Sequence, residues 1–178
     1  MKKINRFWRL AAVLVGLILL LLGAVGVYQA SGRRGELRFS TLEQAGSLGR
    51  SEEYWQQRQP GLLIVANRDD VTKASRFVSD QATQALSRLY FRNCFAILAF
   101  RGWHSTILEG FQIERLIDQG DVIAIYAEPG KRTGQDAISS PYHLINVCGA
   151  GKRGQTITFS LYFGEDQAAV VSVSRTLP

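Results

Sequence analysis

The chain has 178 residues, enough for one domain with a hydrophobic core plus an appended segment, but too few for two full domains. Its 21 Lys and Arg residues against 15 Asp and Glu give a formal charge of +6. Because six basic residues and no acidic one precede Gly35, the rest of the chain holds 15 of each sign and is neutral. A neutral body lacks the clustered cations that bind phosphate backbones, so nucleic acid is excluded as an expected partner.

An apolar run without a charge or a proline extends from Leu10 to Tyr28. A helix needs roughly 20 such residues to cross the hydrocarbon of a bilayer, so this run predicts a transmembrane helix. The cations of residues 1–9 stay on the cytoplasmic side of a bacterial-type membrane, which places the N-terminus inside and the remaining chain outside. The alternative, a signal peptide cleaved after Gly26, predicts a secreted protein instead.

These features divide the chain into four parts. They are a cytoplasmic basic flank (1–9), a transmembrane helix or uncleaved signal anchor (10–28), a polar spacer (29–36) and one extracytoplasmic domain (37–178). No cysteine closely follows the apolar run, which disfavours a lipoprotein anchor. The domain opens with a short alternating stretch that predicts an edge strand, followed by mostly polar residues.

The next elements of the domain are one strand and one helical region. The apolar run Leu62–Ala66 predicts a buried strand. From Asp69 to Leu89, apolar residues recur at helical spacing with one core-facing stripe, which predicts an amphipathic helical region. Asn67 is placed to cap its N-terminus, and Ser79-Asp80 is where it would break into two shorter helices.

Six strand-like segments follow Phe91, and most are joined by links too short for a helical crossover. Such links favour antiparallel pairing, with hairpins expected at residues 118–121 and 164–167. The exception is the loop 128–140, which is too polar for the core and is of the length typical of functional or mobile loops. The sequence therefore predicts an α+β fold, mainly antiparallel β sheet with one amphipathic helical region, preceded by a single transmembrane helix.

Several motifs occur in the order found in a known family. They are FSTLEQ from Phe39, the strand LLIVA followed by a helix, FAILAF, GFQIERL from Gly110, and SPYHLINV from Ser140. From Phe39 to about Cys148 the chain resembles the PrcB-type domain of exported bacterial proteins. The resemblance implies a small, exported, non-catalytic, β-rich domain, in the founding case one that stabilises a partner protease complex. This chain departs from that case because it has no lipid-acceptor cysteine and continues past Cys148 with two further strands.

Cys94 and Cys148 are the two cysteines of the chain, and both fall at the edges of predicted strands. An oxidising exterior permits them to pair as a disulfide. The alternative is a pair of buried thiols, which are common as small core residues. The sequence leaves both interpretations open.

Only His104 and His143 are available as general bases or imidazole ligands. His104 precedes Ser105 in a turn-like stretch, but no GxSxG elbow holds this serine as a nucleophile. His143 is expected to be an ordinary half-exposed strand residue. Since neither HExxH nor a paired-cysteine spacing occurs, we assign no metal, no cofactor and no catalytic residue.

The glycine-rich stretch 149–154 surrounds Lys152 and Arg153 and is superficially similar to a phosphate-binding loop. It lacks the GxxxxGK[ST] order of such a loop. We therefore interpret it as a turn that connects two strands.

Four residues are candidate partner contacts: Trp55, Trp103, Lys131 and Arg132. The tryptophans occupy segments without a regular pattern, and the two cations lie in the long polar loop. Such residues can anchor a protein partner, and a tryptophan can also stack on a sugar ring. The alternatives are that the tryptophans pack loops onto the sheet and that the cations are simply solvated.

The function favoured by these features is a membrane-anchored, non-catalytic interaction domain that binds or stabilises an envelope or secreted protein. A protease complex is the partner class that the PrcB resemblance implies. The first alternative is a carbohydrate- or cell-wall-binding module. The second is an unrecognised hydrolase that acts through His104.

Overall fold

The computed structural model describes residues 35–45, 59–134 and 139–178 of the chain. All the secondary structure in these ranges belongs to one folded unit, Glu36–Pro178. The predicted transmembrane helix 10–28 lies outside the described residues, as does the basic flank before it. Neither of the helices within the described ranges is long and apolar enough to span a membrane.

Eleven strands and two helices form in the described ranges. The strands are β1 (Glu36–Leu37), β2 (Phe39–Ala45), β3 (Gly61–Val65), β4 (Cys94–Phe100), β5 (Leu108–Glu109), β6 (Gln112–Asp118), β7 (Val122–Glu128), β8 (Lys131–Arg132), β9 (Tyr142–Cys148), β10 (Thr156–Phe163) and β11 (Val171–Thr176). The helices are α1 (Arg68–Ala74) and α2 (Asp80–Ser87). The α+β class with mainly antiparallel pairing is confirmed, and each predicted strand segment after Phe91 contains a strand.

The predicted helical region consists of two helices, because Ser79 begins a second one. The side-chain oxygen of Asn67 caps α1 and accepts a hydrogen bond from the Asp70 N–H at 3.0 Å. Ser79 caps α2 in the same way, accepting from the Ala82 N–H at 3.1 Å. Its backbone is extended, with φ of −67° and ψ of 163°, so one continuous helix cannot pass through it.

Nine of the eleven strands form two sheets that pack face to face, and β5 and β8 form a separate pair. The five-stranded sheet has the order β1-β6-β7-β10-β11, and the four-stranded sheet has the order β2-β9-β4-β3. Apolar side chains from both sheets fill one core, in which the rings of Phe95 and Phe159 meet edge to face at 5.5 Å. The two helices cover the other face of the four-stranded sheet, where Leu86 and Val71 pack against its strands. The described fold therefore has three layers.

The four-stranded sheet is buried on both faces, and this explains the unbroken apolar sequence of β4. Ile97 faces the core between the sheets, whereas Leu98 faces the helices, and neither side chain is exposed. The five-stranded sheet has only one face in the core. Its β10 accordingly alternates apolar residues such as Ile157 and Phe159 with Thr156 and Thr158.

One strand pair departs from the antiparallel expectation. β7 and β10 run parallel, with Val122 opposite Thr158 and Ala127 opposite Phe163. The pairs β6–β7 and β10–β11 are antiparallel, as their hairpin signals predict. After β7 the chain leaves the five-stranded sheet, forms β8 and β9, and returns beside β7. Such a long connection is what parallel neighbours require.

Candidate interaction surface

Beyond the end of β4 the chain forms a small lobe that belongs to neither large sheet. We call residues 101–111 and 129–134 the ribbon lobe. At its centre β5 pairs with β8. Leu108 lies opposite Arg132, and Glu109 lies opposite Lys131. Both cations predicted as partner contacts therefore lie in an ordered ribbon, and both are exposed.

The turn that leads into β8 requires glycine at position 130. Gly130 has a φ of +83°, a left-handed conformation that other residues rarely adopt. A Cβ atom at this position would lie only 3.1 Å from the carbonyl oxygen of Glu109. The close approach of the two ribbon strands thus depends on the missing side chain, and it determines where Lys131 and Arg132 are presented.

Ser139 fastens the lobe from the far end of the long loop. It is fully buried, and its hydroxyl donates to the Thr106 carbonyl at 2.8 Å while accepting from the Leu108 N–H at 3.1 Å. Its backbone exchanges two further hydrogen bonds with His104, of 2.8 and 3.0 Å. The expectation that the whole loop 128–140 is too polar for the core is therefore wrong at its end, because these bonds satisfy the polar groups that burial removes from water.

Arg101 joins the lobe to the five-stranded sheet. Its Nε donates to the Pro129 carbonyl at 3.2 Å, and its guanidinium lies 4.5 Å from the centre of the Phe163 ring. Burial, followed by the nearby charge of Arg132, lowers the pKa of Arg101. An arginine pKa starts so far above neutrality that the side chain stays charged at pH 7.

His104 contributes no charge to the lobe at neutral pH. Burial lowers its pKa below the usual histidine range, and the cations Arg101 and Arg132 lower it further. In the described part of the chain, no hydrogen bond joins its ring to the hydroxyl of Ser105. The pairing of base and nucleophile that a hydrolase would need is therefore not formed by these two residues in this structure.

Trp103 is the large exposed aromatic residue of the lobe, with 39% of its surface accessible to solvent. The structure thus brings three of the four predicted contacts, Trp103, Lys131 and Arg132, into one lobe. The fourth, Trp55, lies outside the described residues. Arg101, His104 and Ser139 are neighbours that motif spacing did not predict, because their partners lie about 30 residues away along the chain.

His143 is not the half-exposed strand residue that its sequence suggests. Only 3% of it is exposed, because β9 lies in the interior of the four-stranded sheet. Its Nδ1 accepts from the Ile113 N–H at 2.8 Å, so the ring proton resides on Nε2, which donates to the Thr41 hydroxyl at 2.9 Å. Burial lowers the pKa of His143 to about 4. The ring is a neutral connector between the two sheets.

Cys94 and Cys148 lie at the opposite end of β4 from the ribbon lobe. They face each other directly across the β4–β9 pair, in the same register that places Phe100 opposite Tyr142. The structure joins their sulfur atoms in a disulfide. The bond connects the first residue of β4 to the last residue of β9.

Metal ligands do not cluster in the part of the chain that the structure describes. Among those residues there is no group of three or more His, Cys, Asp or Glu side chains placed to hold an ion. We assign no metal ligand to any residue of the described fold.

Comparison with models of known protein families, with curated proteins and with solved structures found no match to the chain. The class of the protein is therefore defined by its fold, a three-layer α+β domain, and by its surfaces. The resemblance to the PrcB-type domain rests on the ordered sequence motifs alone and stays a prediction.

Proposed function

We propose that the protein is a non-catalytic, membrane-anchored extracytoplasmic domain that binds an envelope or secreted protein through the ribbon lobe. The observation that carries this proposal is the exposed indole of Trp103 in the same lobe as Lys131 and Arg132. The proposed anchor is the transmembrane helix 10–28, with the N-terminus inside the cell. A protease complex is the partner class that the PrcB resemblance supplies.

The residue types of the lobe favour a protein partner. Tryptophan and arginine are the residues most enriched among those that dominate interface energies, whereas lysine tends to occupy the rim. Trp103 offers a large apolar area with one hydrogen-bond donor, and Arg132 offers a planar fork of donors. Together they match a partner surface with an apolar pocket bordered by carboxylates.

The lobe is ordered before any partner arrives. The Ser139 hydrogen bonds hold its first segment, and the close contact at Gly130 holds its second. Ordering a loop on binding would reduce affinity, so a surface that is already fixed loses less conformational entropy. This supports a recognition role over that of a loose connecting loop.

Charge indicates the kind of partner surface. The lobe carries Arg101, Lys131 and Arg132 against Glu109, and His104 is neutral at pH 7. Complementary charge accelerates encounter and suppresses wrong partners. We therefore propose an acidic patch on the partner, and we expect the complex to weaken as the salt concentration rises.

Photocrosslinking in intact cells tests the proposal. We expect a photoreactive amino acid in place of Trp103 in the full chain to give one dominant adduct with an envelope protein. The matched control is the same probe at Val170, which is 40% exposed and lies outside both the ribbon lobe and the residues that line the disulfide end of β4. The double variant Lys131→Gln/Arg132→Gln should reduce the adduct yield. Equal adduct patterns from positions 103 and 170 would contradict the assignment of the lobe.

The outer face of the five-stranded sheet favours a second candidate, a carbohydrate- or cell-wall-binding module. Three hydroxyl pairs bridge β10 and β11 there at 2.8 to 3.0 Å: Thr156–Thr176, Thr158–Ser174 and Ser160–Ser172. Beside them the ring of Tyr162 on β10 stacks on that of Tyr126 on the adjacent β7, with centroids 5.1 Å apart. Hydroxyls that donate and accept, beside amphipathic aromatic rings, suit an uncharged polyhydroxylated ligand.

Binding to purified, insoluble cell-wall polysaccharide distinguishes the two candidates. If the sheet face binds glycans, the full chain should sediment with the polymer and the Tyr162→Ala variant should stay in the supernatant. Tyr90→Ala removes an exposed tyrosine elsewhere and should sediment like the wild type. Failure of the unmodified chain to sediment would remove this candidate and leave the ribbon lobe untouched.

A further inference from the structure

A cleft lies at the disulfide end of β4, away from the ribbon lobe. We call it the end cleft. One wall is formed by residues 91–95 and the other by residues 149–153, and Leu177 with Pro178 closes the space between them. Its volume is about 250 Å³, which suits a single side chain with one small polar group better than a drug-sized molecule.

Both walls of the end cleft are held in place by the fold. Each wall continues directly from one cysteine of the Cys94–Cys148 disulfide. The Gly149 N–H also donates to the Asn93 carbonyl at 2.9 Å, which closes the walls at their base. The cleft is therefore ordered without a ligand, and binding would lose little conformational entropy.

Lys152 and the C-terminal strand hold the glycine-rich wall from its other side. The Lys152 ammonium lies 2.7 Å from a carboxylate oxygen of Asp118 and 2.7 Å from the Gly120 carbonyl. The Gly154 N–H donates to the Leu177 carbonyl at 2.8 Å. The charge of Lys152 is thus compensated by the β6–β7 hairpin, and the side chain acts as a clamp for the loop.

Between the hydrogen bonds of Gly149 and Gly154, the glycine-rich wall has backbone N–H groups that make no hydrogen bond within the described fold. Within the described ranges, the backbone N–H groups of residues 150–153 have no protein acceptor. Gly149 and Gly151 have φ of +73° and +66°, and left-handed residues of this kind occur in loops that present successive N–H groups to one anion. The loop is a strand connection, as predicted, and the residues that carry these N–H groups line the cleft.

The charged side chains that line the end cleft, those of Arg92, Lys152 and Arg153, are all cationic. The exposed side chains of Arg92 and Arg153 lie on opposite walls, and in the described structure neither forms an ion pair. No aspartate or glutamate lines the cleft. Phe91, Phe95 and Leu177 give it an apolar interior. A cleft lined by two unpaired arginines and by apolar side chains suits an anion with an apolar substituent.

We propose that the end cleft binds a carboxylate attached to a small apolar group. Such a group is either the C-terminal residue of a peptide or a free apolar carboxylic acid. Capture of a terminal carboxylate by backbone donors is an established recognition mode, and the arginines on both walls add charge-assisted hydrogen bonds. The apolar substituent fills the space beside Phe95 and Leu177. This site is independent of the ribbon lobe.

Fluorescence anisotropy with the full chain in detergent tests the site. The probe is a fluorescein-labelled glycine-serine peptide that ends in leucine with a free carboxylate. We expect saturable binding, and we expect the same peptide with an amidated C-terminus to bind at least about tenfold more weakly, because one charge-assisted interaction is lost. Equal binding of the acid and the amide would overturn the proposal, as would the absence of saturable binding by the acid.

Charge-neutralising variants locate the site. Arg92→Gln and Arg153→Gln remove exposed cations and should each weaken binding of the free acid about tenfold without unfolding the chain. Arg132→Gln makes the same change at the other end of β4 and should leave the affinity unchanged. If the Arg92→Gln/Arg153→Gln double variant binds as tightly as the wild type, the end cleft is not the site.

Competition distinguishes the two sources of the carboxylate. If N-acetylleucine displaces the probe at the same concentration as the unlabelled peptide does, a free acid is a sufficient ligand. Displacement only by the peptide identifies a chain terminus, and N-acetylleucinamide should compete in neither case. The double variant Arg92→Gln/Arg153→Gln should still give the photocrosslinks from position 103, because it leaves the ribbon lobe unchanged. The two proposals can therefore fail independently of each other.

Discussion

The buried side chain of His143 connects its own strand to two others. Its two nitrogens join Ile113 on β6 and Thr41 on β2, and its own strand is β9. Protonation would place a second N–H where the ring must accept from Ile113, so the charged form is incompatible with this hydrogen bond. Burial also disfavours the charge, which lowers the pKa to about 4.

The lowered pKa of His143 predicts a loss of stability in weak acid. An unfolded histidine takes up a proton near pH 6.5, whereas the folded one does so only near pH 4. As the pH falls through this window the unfolded state binds more protons, so the free energy of unfolding should drop by at most about 3 kcal/mol. Above about pH 6.5 this contribution is complete, and below about pH 4 no further loss arises from this residue.

Denaturant unfolding between about pH 7 and about pH 4 measures this effect. His143→Asn retains an acceptor for the Ile113 N–H without titrating, so its stability should depend less on pH. His104→Asn is the control, because that ring has no hydrogen bond to another strand through its side chain in the described fold and should keep most of the dependence. A wild-type pH profile in His143→Asn would contradict the role given to the ring.

The sequence predicts the role of a residue well when its partner is only a few positions away. It does not predict a role that depends on a partner far along the chain. Asn67 and Ser79 cap helices through bonds to residues three positions away, so their roles were visible in the sequence. Asp70 lies in the first turn of α1, three residues after the cap Asn67. It is also buried and bonded to Arg175, 105 residues away, and no pattern within a window of sequence indicates such a pair.

At the scale of elements, the spacing of apolar residues and the lengths of the links predicted strands and hairpins. They did not predict which strands share a sheet. Short apolar runs, and alternation of polar and apolar residues in some segments, located the strands, and the hairpin signals paired β6 with β7 and β10 with β11. Which strands share a sheet depends on where the chain crosses between layers. The parallel β7–β10 pair arises in this way, since both of its strands look like ordinary members of an antiparallel sheet.

The sequence predicted individual residues of the ribbon lobe, but not that they lie together. Trp103, Lys131 and Arg132 stood out because large aromatic and charged residues in irregular segments are unusual. Their assembly depends on Ser139, whose hydroxyl bonds to residues more than 30 positions earlier. A serine near the end of a polar loop carries no signal of burial, so its role becomes visible only in the folded chain.

Ser139 and Ser140 form a matched pair that tests this account of the lobe. Both are buried, but within the described residues the Ser140 hydroxyl has no hydrogen-bond partner. Ser139→Ala leaves the Leu108 N–H buried without an acceptor and should lower the free energy of unfolding by about 1–3 kcal/mol. Because the Ser140 hydroxyl is already buried without a partner, Ser140→Ala should leave the free energy of unfolding unchanged or raise it. Chemical denaturation of both variants checks the difference, and equal losses would argue against a specific anchoring role for Ser139.

At the scale of the whole molecule, β4 separates two surfaces of different chemistry. Its C-terminal end leads into the ribbon lobe, and its N-terminal end leads into the end cleft. Because the strand is buried between the helices and the second sheet, both surfaces extend from a strand that opens only if the core itself is disrupted. The proposed membrane anchor, N-terminal to all of this, would restrict both surfaces to the outer side of the membrane.

The disulfide should matter more for the end cleft than for the ribbon lobe. Cys94→Ala/Cys148→Ala opens a link between residues 54 positions apart, and chain entropy predicts a loss of about 4 kcal/mol in the free energy of unfolding. The variant should still fold, since the β4–β9 pairing continues to Phe100 and Tyr142, but the cleft walls lose their common tie. We therefore expect weaker binding of the free-carboxylate peptide and unchanged photocrosslinking from position 103. Mass spectrometry after alkylation without reductant should find no free thiol in the wild type, and two alkylated cysteines would contradict the pairing on which this expectation depends.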